Sequence, residues 1–187
     1  MDHKGTQRIQ TSRLILRRFV MEDAEAVFRN WANDKTVTTF LSWAPHESVE
    51  VTKQVLQDWI SQYQKKDYYT WGIELKEAGE VIGVISIVRQ NEKVNSAEIG
   101  YCMGSKWWGL GIMPEALKAI ISYLFNEVGF NRIEGKHDRN NPKSGRVMQK
   151  AGMQYEGTLR QADKNNQGII DVVWYSILKQ DYLESGD

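Results

Sequence analysis

This sequence has very little cysteine, proline or histidine. Its 187 residues contain one cysteine, three prolines and three histidines. A single cysteine excludes an internal disulfide and a cysteine-built metal site, and a reducing cytoplasm is the expected compartment. His3, His46 and His137 do not form a ligand spacing, so no metal is expected. There is no net charge either, because 24 basic residues balance 24 acidic ones. Nothing in that balance calls for nucleic acid or an anionic membrane as a partner. No apolar run approaches the roughly 20 residues that a membrane helix needs. The opening residues, MDHKGTQRIQTS, are polar throughout and do not read as a signal peptide. Repeats, low-complexity tracts and composition breaks are lacking too. One domain over residues 1–187 is therefore expected, with residues 1–10 as a loose tail. Aromatics are in excess: seven Trp and eight Tyr exceed what a core of this size requires, so some are available to line a groove.

Hydrophobic spacing supplies an element order. Arg13 to Phe19 reads as a strand, with Leu14 and Leu16 on one face. Met21 to Asn33 reads as a helix, because Ala24, Val27, Phe28 and Trp31 recur at i, i+3, i+4 and i+7. Residues 35–46 show no period; Phe40 and Trp43 there belong to no core stripe and are groove candidates, whereas Trp31 and Trp59 sit on helix stripes and read as core. Ser48 can cap a second helix to about Gln64, with Val55, Trp59 and Tyr63 on one stripe. Strands follow at 70–75, 81–89 and 96–103, the second apolar on both faces and hence central. A helix is expected from about 113 to 127 and a strand at 132–138. A helix from Pro142 to Ala151 is closed by Gly152. A strand at 155–161, a turn at 163–168 and a long strand at 169–178 finish the chain. The last strand, also apolar on both faces, is expected either in a central position or at a symmetric interface with a second copy, a homodimer. The order predicts an α/β fold with a mixed sheet, helices on both faces, and a parallel strand pair around 96–138.

The stretch Lys106-Trp107-Trp108-Gly109-Leu110-Gly111-Ile112-Met113-Pro114-Glu115-Ala116 stands at a strand-to-helix junction. Two glycines there leave bare N–H groups at a helix N-terminus, which suits a phosphate or pyrophosphate. The alternative is a Gly-rich turn that merely caps a core helix.

Four stretches in order carry a family resemblance. They are TSRLILRRF with Asp23-Ala24; AEIGY at 97–101 followed by WGLGIMPEA at 108–116; Asn141 to Met153; and Glu156 to Arg160 with Asp171 and Tyr175 to Leu178. The chain resembles the GNAT superfamily of N-acetyltransferases and is most similar to its RimJ/RimL-type ribosomal-protein N-terminal acetyltransferases. The resemblance covers roughly residues 10–183. It departs from the pattern at Lys106, where Gln or Arg is usual, at Pro114, where a hydroxyl residue is usual, and at Met148, where more distant members carry a tyrosine that can protonate a thiolate.

The resemblance implies acetyl-CoA as co-substrate and acetyl transfer to a primary amine by direct attack in a ternary complex. Pyrophosphate contacts fall to the backbone of Trp108, Gly109, Leu110, Gly111 and Ile112, with Lys106 beside them. Pantetheine alignment falls to the strand carrying Ile99, Tyr101 and Met103, where a bulge splays it from the next strand. Asn141 is a pantetheine or turn residue. Lys143 and Arg146 either hold the 3′-phosphate or are solvated helix charges. Ser144 is the first choice to protonate the thiolate, its alternative being a helix cap or phosphate contact. Glu98 and Asp163 are the candidate bases; their alternatives are a sheet ion pair and a turn aspartate. Cys102 is a possible nucleophile but, inside an apolar strand, reads better as core. His137 is a further possible proton carrier.

The expected acceptor is a protein N-terminal amine. A small-molecule amine is the runner-up, and loops 35–46 and 161–168 decide between an open cleft and a closed pocket. A rival of another class is a non-catalytic acyl-CoA-binding sensor. A dinucleotide-binding domain is a poor fit, because the third fingerprint glycine is lacking.

Overall fold

The computed structural model describes residues 1–186. Its strands are β1 (Ile9–Gln10), β2 (Leu14–Arg17), β3 (Thr70–Leu75), β4 (Glu80–Asn91), β5 (Ser96–Met103), β6 (Arg132–Asp138), β7 (Gln154–Asn165) and β8 (Gly168–Leu178). They form one sheet in the order β1-β2-β3-β4-β5-β6-β8-β7. The β5–β6 pair is parallel and every other pair is antiparallel. The helices are α1 (Ala24–Val27, running into a π-helical turn, Phe28–Ala32), α2 (Lys35–Thr38), α3 (Val49–Gln62), α4 (Ile112–Tyr123, extended by a π-helical turn, Leu124–Val128), α5 (Pro142–Lys150) and α6 (Lys179–Ser185).

Both faces of the sheet are covered, as the element order implies. On one face, Leu117, Ile120 and Ile121 of α4 and Met148 of α5 pack against Ile82, Ile85, Ile99 and Ile133. On the other, Val27 and Trp31, with Leu56 of α3, pack against Val81 and Val84. Strand β4 thus feeds both cores, which is why its sequence is apolar in both phases. Each fully buried aliphatic side chain here stabilises by about 1.5–3 kcal/mol. Helix α3 starts at Ser48, whose side chain accepts from the Val51 N–H. Its buried stripe is Thr52 and Leu56, with Trp59 and Ile60 partly covered, so it is centred one residue later than the sequence pattern suggests.

Residues 1–10 are not a loose tail. Ile9–Gln10 pair with β2, and Thr6 is buried. The Thr6 hydroxyl accepts from the Thr70 N–H at 2.9 Å, the Trp71 indole donates to the Gln7 carbonyl at 2.7 Å, and the Tyr123 hydroxyl donates to the Gly5 carbonyl at 2.8 Å. These contacts come from residues more than sixty positions away, so no local pattern announces them.

Two features position the site. Strands β5 and β6 pair only over Ser96–Ile99 and Arg132–Gly135. Beyond Ile99, β5 keeps only β4 as neighbour, and beyond Gly135, β6 keeps only β8. The parallel pair is therefore splayed at its C-terminal end. The bulge lies on the neighbouring strand, β4, between Ile87 and Arg89, rather than on β5 itself; an extra residue there increases local twist. The second feature is the β7–β8 hairpin. The strand expected to end at 161 runs on to Asn165, so Asp163 is a strand residue paired opposite Ile170 and not a turn residue. Strand β8 lies between β6 and β7, which accounts for its buried Val172, Tyr175 and Ile177.

Candidate active site

A cavity of about 650 Å3 opens where β5 and β6 part. Of the residues singled out in the sequence, Tyr101, Met103, Trp108, Gly109, Gly111, Ile112, Asn141, Ser144 and Arg146 line it. Lys143, Cys102 and Phe40 line it as well. Ile99, Lys106, Leu110, Glu98 and Asp163 do not. Ile99 is buried in the core. The Lys106 ammonium sits 5.2 Å from the Trp107 ring centroid, and Leu110 is exposed, using its carbonyl to accept from Arg13.

The glycine loop has the geometry of an anion cradle. Gly109 and Gly111 adopt φ values of +79° and +75°, which side-chain-bearing residues rarely take. Gly111 is the N-cap of α4 and has no side chain to offer the first turn. Among the described residues, no backbone carbonyl accepts from the N–H groups of Gly109 to Met113. Those donors, at the positive end of a twelve-residue helix that faces the cavity, fit a phosphate group. Lys143 stands over the Trp108 ring at 5.5 Å, and the Trp108 indole donates to the Met103 carbonyl at 2.8 Å, so the loop, β5 and α5 are joined.

Arg13, which the sequence reading passed over as part of a strand motif, braces this loop. Its guanidinium donates to the Leu110 carbonyl at 2.9 Å and to Glu115 at 2.7 Å. Glu115 also accepts from Thr11, Ser12 and the Arg13 N–H. Burial pushes the Glu115 carboxyl up, but these donors outweigh it and hold the group down to about 2. An ionised carboxylate in the first turn of α4 is thereby neutralised beside the open N-terminus of that helix. The signal was an acidic residue at a helix start, but its partners lie a hundred residues away.

Ser144 and Tyr101 form one unit. The Tyr101 hydroxyl donates to the Ser144 carbonyl at 2.9 Å and lies 3.0 Å from Ser144 Oγ. With its single proton on the carbonyl, the phenol oxygen is left to accept from the serine hydroxyl. Burial holds the Tyr101 phenol well above its ordinary range, so it remains neutral. Gly145, next in α5, lies so close to His137 that an added Cβ would sit 2.6 Å from its Nε2. His137 Nδ1 donates to the Asp138 carbonyl at 2.7 Å, and the ring stacks on Tyr175; it lines a separate, smaller cavity.

The two carboxylates do not reach the cavity wall. Glu98 is buried and pairs with Arg89 at 2.8 Å and Lys136 at 3.3 Å. Asp163 pairs with the same Lys136 at 2.8 Å, which holds its carboxyl below the usual range. Burial pushes the Cys102 thiol up to about 12, so it is no thiolate at neutral pH. Trp43, expected in the groove, instead packs on His46 and the α1–α3 core; Trp31 is core as expected. The sequence pointed to the 35–46 loop but not to Thr36, Val37, Thr39 and Leu41 as the residues of the wall, because the segment has no period. Among the described residues, no cluster of His, Cys, Asp or Glu could hold a metal ion, and no helix is long and apolar enough to cross a membrane.

A splayed parallel pair facing an open helix N-terminus is the arrangement that the family resemblance implies, and comparison with known proteins agrees on the family. The acetyltransferase (GNAT) domain family matches residues 13–154. The uncharacterized N-acetyltransferase YoaA of Bacillus subtilis (strain 168) is 36% identical over 171 residues, 91% of this chain and 96% of that one. The ribosomal-protein-serine acetyltransferase of Escherichia coli (strain K12) is 33% identical over 137 residues, 73% of this chain and 75% of that one. The structure of RimL, a ribosomal L7/L12 alpha-N-protein acetyltransferase in complex with coenzyme A, superposes with a TM-score of 0.82 at 24% identity, covering 92% of this chain and 98% of that one; that likeness is one of fold. The chain belongs to the GNAT acetyltransferase family and is an N-acetyltransferase.

Proposed function

We propose that this enzyme moves an acetyl group from acetyl-CoA to a primary amine by direct attack, with both substrates bound together. One observation carries the reading: a single cavity joins the open N-terminus of α4, the unpaired end of β5, and Ser144. The backbone N–H groups from Gly109 to Met113 would hold the pyrophosphate, Lys143 and Arg146 the 3′-phosphate, and the free edge of β5 beyond Ile99 the pantetheine. Acetyl-CoA supplies an activated acyl group. Backbone donors on the splayed strand are the natural support for the oxyanion. Ser144, positioned by Tyr101, turns its hydroxyl from the phenol oxygen to the leaving sulfur and gives it a proton, and water restores the serine proton. The amine's proton leaves to water, since among the described residues neither Asp nor Glu lines the cavity and Lys136 occupies both Glu98 and Asp163. Alignment of the two substrates then accounts for much of the rate.

The relatives that act on ribosomal proteins support a protein N-terminal amine as acceptor. A second reading, a small amine, is supported by the β7–β8 turn, which is hydrogen-bonded to the 38–43 segment.

The test is thermal unfolding with acetyl-CoA and, as control, NAD. At a hundred times its dissociation constant a ligand stabilises by about 2.7 kcal/mol, a shift of a few degrees for a chain of this size. The expected result is a rise with acetyl-CoA alone. An unchanged melting temperature at saturating acetyl-CoA would sink the proposal.

A further inference from the structure

The cavity wall includes the apolar side chains of Val37, Phe40, Leu41 and Met103. Among the described residues, the charged side chains lining the cavity are Lys143, Arg146 and Lys150, all basic and all on α5, and the first two are the ones read above as meeting the 3′-phosphate. Because a covered and unpaired charge is strongly disfavoured, a second ammonium group on the acceptor, where the cavity wall covers it, needs a carboxylate to meet it. No lining residue provides one.

The same wall is fastened from outside. Asn166, in the β7–β8 turn, donates from its side-chain amide to the carbonyls of Thr38 and Trp43, each at 2.8 Å, and from its backbone N–H to the Leu41 carbonyl at 3.0 Å. Its neighbour Asn165, which is buried, donates to Asp138 at 2.8 Å, and Asp138 accepts from the Asn140 N–H at 2.8 Å. Asn140 and Leu41 both line the cavity. A continuous strap of hydrogen bonds therefore links these two lining segments by way of the hairpin turn and holds the 38–43 segment in place.

We infer that the second reading of the acceptor holds, a small primary amine on an apolar carrier with no second positive charge, and that Asn166 sets this specificity by fixing the Phe40–Leu41 wall. The inference rests on the acetyl-transfer reading of the same cavity and names the substrate class for it. A polyamine is disfavoured by charge, and the N-terminus of a folded protein by the strap.

The experiment uses the full chain with acetyl-CoA and three probes: phenethylamine, spermidine and a serine-led octapeptide, with released thiol as the signal. The expected result is a kcat/KM for phenethylamine at least tenfold above either alternative. Preference for spermidine, or equal use of the octapeptide, overturns the inference. N166A and N166D (the second keeps the shape but has no amide N–H to donate) are expected to raise the KM for phenethylamine fivefold or more. The KM for acetyl-CoA should not change, and amide hydrogen exchange across residues 36–46 should speed up. Unchanged exchange together with unchanged KM overturns the role of Asn166. Turnover of none of the probes, while acetyl-CoA still raises the melting temperature, overturns the substrate class but leaves the cofactor reading intact. No thermal shift with acetyl-CoA fails both.

Discussion

Lys136 stands between the two carboxylates that sequence reasoning offered as rival bases, 3.3 Å from Glu98 and 2.8 Å from Asp163. Its ammonium also lies 5.4 Å from the Trp174 ring centroid. One cation thus links β5, β6 and the β7–β8 hairpin on a single face of the sheet. Replacing it by Met should leave the buried Glu98 with Arg89 alone. We expect a loss of about 1–3 kcal/mol, below the 3–5 kcal/mol typical of a fully orphaned buried charge, measured by urea unfolding at pH 7. If Lys136→Met unfolds at the wild-type midpoint, the bridge is structurally idle.

The same geometry makes a prediction about catalysis. Asp163→Asn and Glu98→Gln should keep kcat/KM within about threefold, because the carboxylates serve the bridge and not proton transfer. Loss of a general base typically costs 10²–10⁴-fold. A drop of that size, in a variant shown to be folded at the assay temperature, would restore that residue as the base.

Tyr101 and Ser144 should behave as one unit. Ser144→Ala is expected to lower kcat by about 10²-fold, at the low end for a proton donor. Tyr101→Phe should lower it by roughly tenfold, and the double variant should be no slower than Ser144→Ala, since coupled residues are not additive. Steady-state kinetics on the three variants decides it. Multiplicative losses would mean that Tyr101 acts independently of Ser144.

Glu115 ties the β1–β2 turn to the start of α4, and its carboxyl is held at about 2 against an ordinary 4.5. A depressed carboxyl binds fewer protons folded than unfolded, so its stabilisation is complete above pH 4.5 and fades as pH falls toward 2. Wild type should therefore be more stable than Glu115→Gln at pH 6, with the gap narrowing by pH 3. Urea midpoints at the two pH values test this; an equal gap at both would show that ionisation is irrelevant.

Gly104 joins β5 to the loop before α4. Its φ of −52° is ordinary, so the constraint is space and not backbone strain. An added Cβ would collide with the Asn30 carbonyl oxygen and lie 2.6 Å from the Trp107 ring. Gly104→Ala should destabilise by about 1–3 kcal/mol or somewhat more, as overpacking does. Calorimetry would show a melting temperature several degrees lower; an unchanged value would mean that α1 yields freely.

What the sequence determined by itself was local. Period-2 and period-3.6 patterns located most of the strands and helices from β2 to β8 to within a few residues, and the Gly109–Gly111 turn before an apolar helical stripe marked the start of α4. These follow from dihedral preference and from faces that must be buried, and both are written in consecutive residues. Short, aperiodic or extended pieces were not legible. The first ten residues read as a tail because their partners, Tyr69 to Trp71 and Tyr123, are remote. The strand carrying Asp163 continued past its expected turn because pairing with β8 overrides weak local preference.

Only the tertiary structure decided who meets whom. It put Arg13 under the glycine loop, set Tyr101 against Ser144, and withdrew Glu98 and Asp163 to a common lysine. It also strapped the 38–43 segment to the β7–β8 turn through Asn166. Charge pairing and hydrogen bonding at 3 Å depend on positions brought together by the sheet order, and nothing in the spacing of residues along the chain encodes that order directly.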